Sequence, residues 1–196
     1  MKKIFLAALC AITLLGCTQH PKMMDNQVIN NILTRVSVRQ FTGEPLTQAQ
    51  VDTLLRAAMA APSAVNKQPW AFVVISDKEI IDRIGAELPN TRCQNNAPLA
   101  IVLCGDLDKA LEGEGRDFWV QDVAAATENL LLAAHSMGLG AVWTGMYPTH
   151  RAAVVQEMLG LPENIVPLCI VPVGYPAEQP AVKEKYNPDL IHYNRW

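Results

Sequence analysis

Two arginines and a serine lie close together in the segment Arg35-Val36-Ser37-Val38-Arg39. Guanidinium groups donate paired, charge-assisted hydrogen bonds to phosphate oxygens, and a serine hydroxyl can add a further donor. The same residues are also typical of an arginine-bearing helix end. Their spacing therefore leaves two interpretations open, an anion site or an ordinary helix terminus.

A loop rich in small and amide residues follows, with the sequence APSAVNKQPW from Ala61 to Trp70. Ser63, Asn66 and Gln68 carry donors and acceptors that suit the edge of a heteroaromatic ring or a sugar chain. An ordinary turn that ends in a core tryptophan would have the same composition. The loop is thus a candidate ligand-binding segment or a structural turn.

A third cluster has the sequence GLGAVWTG and runs from Gly138 to Gly145. Glycines let the backbone come close to a flat ligand and leave N–H groups free to donate to it. A tight turn from a helix into a strand is the alternative for this segment.

Several common catalytic motifs are missing from the sequence. There is no G-x-S-x-G, H-E-x-x-H or Walker A pattern, and the four histidines are scattered. Trp143 stands where a dinucleotide fingerprint beginning at Gly138 needs its third glycine. Leu111 stands where a calcium loop needs its sharp-turn glycine. Hydrolase, metalloenzyme and Rossmann interpretations therefore lose their main support, and no metal site is expected.

Hydrophobic spacing predicts the helices that must position these clusters. A first helix with a buried apolar stripe is expected over 28–36. A second begins after the capping-box pair Thr47 and Gln50 and ends before Pro62. Further helices are predicted over 78–88, over 118–137 with Gly138 as the stop, and from Thr149 to about Leu159.

Four short apolar segments are predicted to be strands: WAFVVI (70–75), LAIVLC (99–104), AVWTG (141–145) and IVPLCIVPVGY (165–175). Pro167 and Pro172 should weaken the last of them. The tail from Pro176 to Trp196 lacks periodicity but ends in aromatic residues, so we expect it to pack against another surface. Helices and strands mingle around one long helix, which indicates an α+β or α/β fold with a helix-covered sheet.

The composition is that of one packed globular domain, because half of the 196 residues are hydrophobic and only 18% are charged. The formal net charge of −3 gives no overall positive field, so no nucleic-acid partner is expected. The five cysteines include no C-x-x-C pair, and neither a zinc site nor a disulfide framework is indicated. Cys104 and Cys169 lie in apolar runs and should be buried, which leaves Cys93 as the candidate for exposure.

The first seventeen residues, MKKIFLAALCAITLLGC, have the layout of a signal peptide. The apolar stretch of about a dozen residues is short for a membrane span. The ending LLGC resembles the bacterial lipobox, in which the cysteine is lipidated. We therefore predict a signal peptide over residues 1–16, lipidation of Cys17, a tether over 17–25 and one domain over 26–196, lipid-anchored to a membrane of the bacterial cell envelope. A plain secretory signal with an incidental cysteine is the alternative.

Four motifs, taken in order, resemble the nitroreductase family of FMN (flavin mononucleotide) enzymes. They are R-x-S-x-R at 35–39, A-P-S-x-x-N-x-Q-P-W at 61–70, M-G-L-G-A-V-W-T-G at 137–145 and V-G-Y-P at 173–176. The resemblance covers about residues 28–196. It implies an α+β fold with a helix-covered mixed β-sheet, in which two subunits intertwine as a homodimer and build two FMN sites at their interface.

The resemblance also assigns cofactor-binding residues. Three would hold the FMN phosphate and ribityl chain: Arg35, Ser37 and Arg39. Two tail residues would add positive charge there: Lys183 and Lys185. Four would line the flavin, some of them from the partner subunit: Ser63, Ala64, Asn66 and Gln68. Three would lie along the isoalloxazine ring: Trp143, Thr144 and Gly145. Many family members have a second basic residue where this chain has Val36.

In such enzymes the flavin carries the redox chemistry, so no side chain has to act as a catalytic acid. The resemblance implies that NADH or NADPH delivers hydride to flavin N5 and that a small acceptor, such as a nitroaromatic or a quinone, is then reduced. Two alternatives remain open. One is a flavin-binding or interaction lipoprotein without turnover, and the other is a dehalogenase or ring oxidase with the same fold.

Overall fold

The structure, a computed structural model, describes residues 26–93 and 95–196. The predicted signal peptide over residues 1–16 and the tether over 17–25, which includes Cys17, lie outside the described residues. Within the described ranges, no helix combines the length and the apolar character that crossing a membrane requires.

The described chain contains five α-helices and five strands. In order they are α1 (Gln27–Thr34), α2 (Gln48–Met59), β1 (Trp70–Ile75), α3 (Lys78–Glu87), β2 (Leu99–Asp106), α4 (Phe118–Ser136), β3 (Gly140–Ala141), β4 (Thr144–Gly145), α5 (Arg151–Leu159) and β5 (Ile165–Gly174). Short 3-10 turns lie at Ala64–Asn66, Pro89–Thr91, Gly113–Gly115 and Pro188–Leu190. Each predicted helix is confirmed close to its expected bounds.

Local sequence signals fix the ends of α2 and α4. The Thr47 hydroxyl accepts from the Gln50 N–H at 3.3 Å, and the Gln50 side chain accepts from the Thr47 N–H at 2.9 Å. These two bonds form the predicted capping box. Gly138 follows α4 with a φ of 72°, which glycine adopts at little cost, so the helix stops as predicted.

The strands form one sheet in the order β1-β2-β5-β3, with β4 also paired to β5. Every pair among the described strands is antiparallel. The predicted α+β class is confirmed, whereas the expected mixture of parallel and antiparallel neighbours is not found in this part of the chain. Hydrophobic runs identify strands but do not encode strand direction, which depends on where the connecting segments return the chain.

β5 is a central strand although it contains Pro167 and Pro172. It pairs with β2 on one side and with β3 and β4 on the other, and it is buried from Pro167 onward. β3 and β4 share one register against β5, so Val142 lies opposite Pro172, which has no N–H to donate. The expected weakening is therefore local, since β5 is continuous over Ile165–Gly174 but its register against β2 shifts beside Pro167. The prolines interrupt the ladder only locally, and the predicted strand 141–145 is split into two short pieces.

Apolar layers cover both faces of the sheet. Successive side chains of β2 point to opposite faces. One set packs with α2 and α4: Leu99, Ile101 and Leu103. The other set packs with α3 and α5: Ala100, Val102 and Cys104. Because both faces are covered, every residue of β2 is buried.

The apolar stripe of α1 is exposed. None of the residues of this helix is buried, and Val28 and Ile32 are 66% and 48% exposed. Polar contacts hold the helix against α4, including a 3.0 Å hydrogen bond that Asn31 Nδ2 donates to the Leu132 carbonyl. The helix is thus confirmed, but its expected burial within one chain is wrong, because no other described segment covers the stripe.

The C-terminal tail also leaves large side chains in solvent. Tyr186, Leu190 and Tyr193 are 72%, 76% and 83% exposed, and Trp196 is fully exposed. Trp196 stacks only on nearby His192, with ring centroids 4.0 Å apart. The surface against which this tail is expected to pack is therefore not supplied by the described part of the same chain.

The described cysteines are all buried: Cys93, Cys104 and Cys169. Burial raises the pKa of the Cys93 thiol to about 11 and the pKa values of the other two to about 12. The expected exposure of Cys93 is wrong, because its side chain turns into the apolar layer beside α3 despite polar neighbours in sequence.

Candidate functional site

The segment 35–39 lies directly beside β3. The Val38 N–H donates to the Ala141 carbonyl at 3.0 Å. A side chain at Gly140 would place its Cβ 2.6 Å from Val38 Cγ1, so this approach requires glycine there. The structure thus brings the first and third sequence clusters together, although they are about a hundred residues apart in the chain.

Arg35 ends α1 and lies against α4. Its side chain is 18% exposed, and its Nε is 3.5 Å from a carboxylate oxygen of Glu128. The adjacent Thr34 hydroxyl is 2.9 Å from Nε2 of His135. Burial, together with the positive charge of Arg35, lowers the pKa of His135 below its usual range. The guanidinium therefore exerts a positive field on its surroundings despite the partial pairing with Glu128.

Arg39 is held by its backbone on both sides. Its N–H donates to a carboxylate oxygen of Glu178 at 2.6 Å, and its carbonyl accepts from Asn95 Nδ2 at 2.7 Å. Its guanidinium Nη1 donates to the Ser37 carbonyl at 3.2 Å. Sequence reasoning missed Glu178 and Asn95. The acid follows the V-G-Y-P turn, and that proximity to a motif is the one signal that pointed to it.

The segment 143–145 is exposed at Gly145, its last residue. The Thr144 side chain is buried and its hydroxyl donates to the Asn90 carbonyl at 3.4 Å, whereas Trp143 is half-buried and Gly145 is exposed. A Cβ added to Gly145 would meet no atom within 4 Å. Room for a flat ligand therefore exists at Gly145, as the sequence interpretation requires.

The loop 63–68 has an unusual backbone. Three residues without glycine's freedom have positive φ: Val65 at 42°, Asn66 at 57° and Gln68 at 50°. Such angles are costly for a β-branched residue and are often found at functional sites. Val65 is also 78% exposed, so the loop presents its tip to the outside and not to its own core.

Two internal hydrogen bonds hold this loop in shape. The Ser63 hydroxyl accepts from the Gln68 N–H at 2.9 Å, and the carboxylate of buried Asp122 on α4 accepts from the Ala64 N–H at 2.8 Å. Asp122 was not predicted, because a single acid within an alanine-rich helix carries no local signal of function. Ser63 and Ala64 thus shape the loop, while Asn66 is exposed at its tip.

One protomer does not bring the loop 63–68 to the other two clusters. The loop leads into β1 at one edge of the sheet, whereas β3 and β4 lie at the opposite edge. Three strand spacings separate these edges, which amounts to about 14 Å. Within one protomer, the second cluster thus lies at the opposite edge of the sheet from the first and third.

Lys183 and Lys185 lie in the exposed tail. Among the described residues, neither forms an ion pair. The hydrogen bonds of this stretch are local, since the N–H groups of Lys185 and Tyr186 donate to the carboxylate of Glu184. The predicted contribution of the two lysines to the segment 35–39 is not made within this protomer.

Comparison with known proteins identifies the family. The sequence profile of the Nitroreductase family matches residues 32–91 and 86–175. A protein of Methanothermobacter thermautotrophicus, provisionally named NADH dehydrogenase/NAD(P)H nitroreductase, is 40% identical over 176 residues, covering 89% of this chain and 91% of that protein. A solved structure from Bacteroides thetaiotaomicron with the same provisional name has a TM-score of 0.82 and 44% identity, covering 87% of this chain and 99% of its own. The NADPH:FMN oxidoreductase from Vibrio harveyi, solved in complex with NAD+, has a TM-score of 0.78 and 32% identity, covering 87% and 78%. This chain therefore belongs to the nitroreductase family.

Proposed function

We propose that this protein is an FMN-dependent oxidoreductase that takes reducing equivalents from NADH or NADPH and passes them to a small acceptor, such as a nitroaromatic or a quinone. The family and the names of its relatives support flavin-dependent NAD(P)H oxidation. The observation that carries the proposal for this chain is the segment 35–39, where two arginines and a serine lie beside β3, on the side of β5 that also carries β4.

The residues present fit FMN. The guanidinium of Arg39 forms no ion pair among the described residues, so its charge is available to a phosphate. The Ser37 hydroxyl has no hydrogen-bond partner among the residues that the structure describes, and it is free to donate. Gly145 has open space where other residues carry a side chain, which leaves room for a flat ring. Phosphate and ring thus each meet a suitable surface.

When bound, FMN supplies the two-electron redox chemistry. The chain supplies binding and orientation. Three residues hold the phosphate and ribityl chain: Arg35, Ser37 and Arg39. Two lysines add positive charge: Lys183 and Lys185. Three residues lie along the ring: Trp143, Thr144 and Gly145. Four residues of the partner's loop cover the site and exclude water: Ser63, Ala64, Asn66 and Gln68.

The protein acts as an intertwined homodimer in this proposal. The separation of the loop 63–68 from the segments 35–39 and 143–145 supports a site that a second copy completes. Two apolar surfaces that no described residue covers, the α1 stripe and the tail, are suited to burial between copies. A symmetric pair would use both surfaces twice and form two equivalent sites.

Mixed dimers test the shared site. Arg39→Ala and Asn66→Gly each remove one side of it, and glycine tolerates the positive φ at position 66. Each homodimer should bind FMN at least about tenfold more weakly. A heterodimer of the two variants, isolated with two different tags, has one doubly altered site and one intact site. It should recover native affinity in half of its sites, measured by FMN fluorescence titration. No recovery would place each site within one protomer.

The visible spectrum of the purified protein tests the cofactor itself. Protein from a flavin-producing host should show flavin absorbance that bleaches on anaerobic addition of NADH or NADPH. A colourless protein that also fails to take up added FMN would overturn the proposed function. Bound flavin that both nucleotides leave oxidised would favour a binding protein without turnover.

Residues 1–16 act as a lipoprotein signal peptide in this proposal, and residues 17–25 tether the domain formed by 26–196 to a membrane of the bacterial envelope. The support is the LLGC sequence that ends at Cys17. Full-length protein produced in a bacterium should incorporate labelled palmitate and fractionate with membranes. Cys17→Ser should abolish both, and labelling that persists in this variant would refute lipidation at Cys17.

A further inference from the structure

A small cavity of about 230 Å³ opens beside β4, between the end of α3 and the start of α5. Its polar lining comes from both sides of the opening: Glu87, Asn90, Thr91, Thr144, His150 and Arg151. The three clusters of the sequence analysis contribute only Thr144 to it. The chemistry of this cavity is therefore not accounted for by the binding of FMN phosphate or by the loop 63–68.

Arg151 is a cation without an acidic partner. Its Nη1 donates to the Gly145 carbonyl at 3.4 Å, and no carboxylate of the described ranges lies within ion-pair distance of its guanidinium. A guanidinium group has five N–H donors, so most of its hydrogen-bonding capacity is unused. A half-buried cation at a cavity is stabilised by an anion that enters it.

The contact with Gly145 fixes where this cation lies relative to β4. The N–H of Met146 points toward β5, because it donates to the Leu168 carbonyl at 2.8 Å. Neighbouring residues of a strand direct their backbone groups to alternate sides, so those of Gly145 turn away from β5. Arg151 therefore lies on the outer side of β4, next to Gly145, one of the residues proposed to line the flavin.

We propose that this cavity binds an anionic group, a carboxylate or a phosphate, of a substrate that reacts at the flavin site, with Arg151 as the principal donor. The inference rests on the proposed function, because it takes Gly145 to line the flavin. His150 adds a second nitrogen donor at the opening. Glu87 opposes an anion from the other wall and limits the affinity. The anionic group belongs either to the acceptor or to the nicotinamide nucleotide.

Benzoate and benzamide are suitable probes, because they have the same shape and differ in charge. Calorimetric titration of the FMN-loaded protein should show tighter binding of benzoate. Arg151→Met should weaken benzoate binding about tenfold, the cost of one charge-assisted hydrogen bond, with a smaller change for benzamide. Glu87→Gln should strengthen benzoate binding severalfold. Arg83→Met is the matched control, because Arg83 also donates to a single backbone carbonyl, that of Met158 at 2.8 Å, but lies outside the cavity.

Steady-state kinetics then identify the source of the anion. A KM for NADH that rises in Arg151→Met assigns the group to the nucleotide phosphates. A KM that rises for 4-nitrobenzoate but not for 4-nitrobenzamide assigns it to the acceptor. The inference is overturned if neither benzoate binding nor either KM responds more to Arg151→Met than to Arg83→Met. The FMN content of each sample separates the two claims: protein without FMN overturns the proposed function and the inference together, whereas FMN-loaded protein without an anion preference overturns the inference alone.

Discussion

Apolar side chains are buried at the centre of the sheet but exposed in α1 and in the C-terminal tail. Every residue of β2 is buried, and β5 is buried from Pro167 onward. α1 has no buried residue, and the last aromatic side chains of the tail lie in solvent. The sheet and the helices α2 to α5 thus bury one another's apolar side chains within a single chain. The apolar side chains of α1 and the tail are left exposed.

This difference suggests two roles for apolar side chains. Those of the sheet stabilise the single protomer, whereas those of α1 and the tail are available for contact with a second molecule. Exposing large apolar side chains to water is unfavourable, so a chain keeps such surfaces where a second molecule covers them. The loop 63–68 follows the same division, because its strained tip points outward, away from the rest of the proposed site. In the proposed homodimer, a second copy would cover the exposed apolar surfaces of α1 and the tail. The same copy would complete the proposed FMN site.

The largest expected effect belongs to the sheet centre. Ile170 lies in β5 with no exposed surface, so Ile170→Ala removes buried contacts and should lower the free energy of unfolding by about 2–5 kcal/mol. Urea denaturation followed by circular dichroism measures this change. Val182→Ala in the tail, where the side chain is 54% exposed, should cost less than about 1 kcal/mol. Equal losses in the free energy of unfolding for the two variants would contradict the distinction between the sheet centre and the exposed tail.

A charge on the α1 stripe should affect assembly more than folding. Ile32→Asp places a carboxylate on the exposed apolar face, so it should raise the dimer dissociation constant at least about tenfold while the protomer stays folded. Light scattering over a dilution series gives the mass. Asn30→Asp adds the same charge to another exposed position of the helix and should leave the mass unchanged. A dimer that tolerates Ile32→Asp would mean that α1 is not part of the interface.

The smallest expected effect lies at the junction between α1 and α4. The pKa of His135 is lowered, so the unfolded chain binds a proton more readily than the folded one. Stability should therefore fall as pH decreases through the ordinary histidine value of 6.5 and below. His135→Gln should flatten this dependence in urea titrations between about pH 7.5 and about pH 5.5. His192→Gln, in the exposed tail, should retain it, and a slope unchanged in His135→Gln would count against this role.

Elements with local signals were predictable from the sequence. The capping box at Thr47, the glycine after α4 and the apolar runs of β1 and β2 each depend on residues that are close in sequence. The three clusters of candidate site residues were recognisable for the same reason. Their role in binding FMN stays a prediction, although the structure places the first and third of them side by side.

Features that depend on distant partners were not predictable. Asp122 and Glu178 have roles only because Ala64 and Arg39 reach them from remote parts of the chain. The amphipathic pattern of α1 predicts burial but does not say whether the covering surface belongs to the same chain. The central place of β5 was not predicted, because an apolar run identifies a strand but not its neighbours in the sheet.

The gap between β3 and β4 also bears on how the folded chain behaves in a crowded solution. A long, regular sheet edge offers a row of unpaired N–H and C=O groups on which any extended segment can add as a further strand, the first step toward aggregation. At this edge, β3 and β4 have only two paired residues each, and Val142 lies between them opposite Pro172. The short strands, together with the segment 35–39 that lies beside β3, thus leave no long regular edge for unwanted strand addition in the described part of the chain.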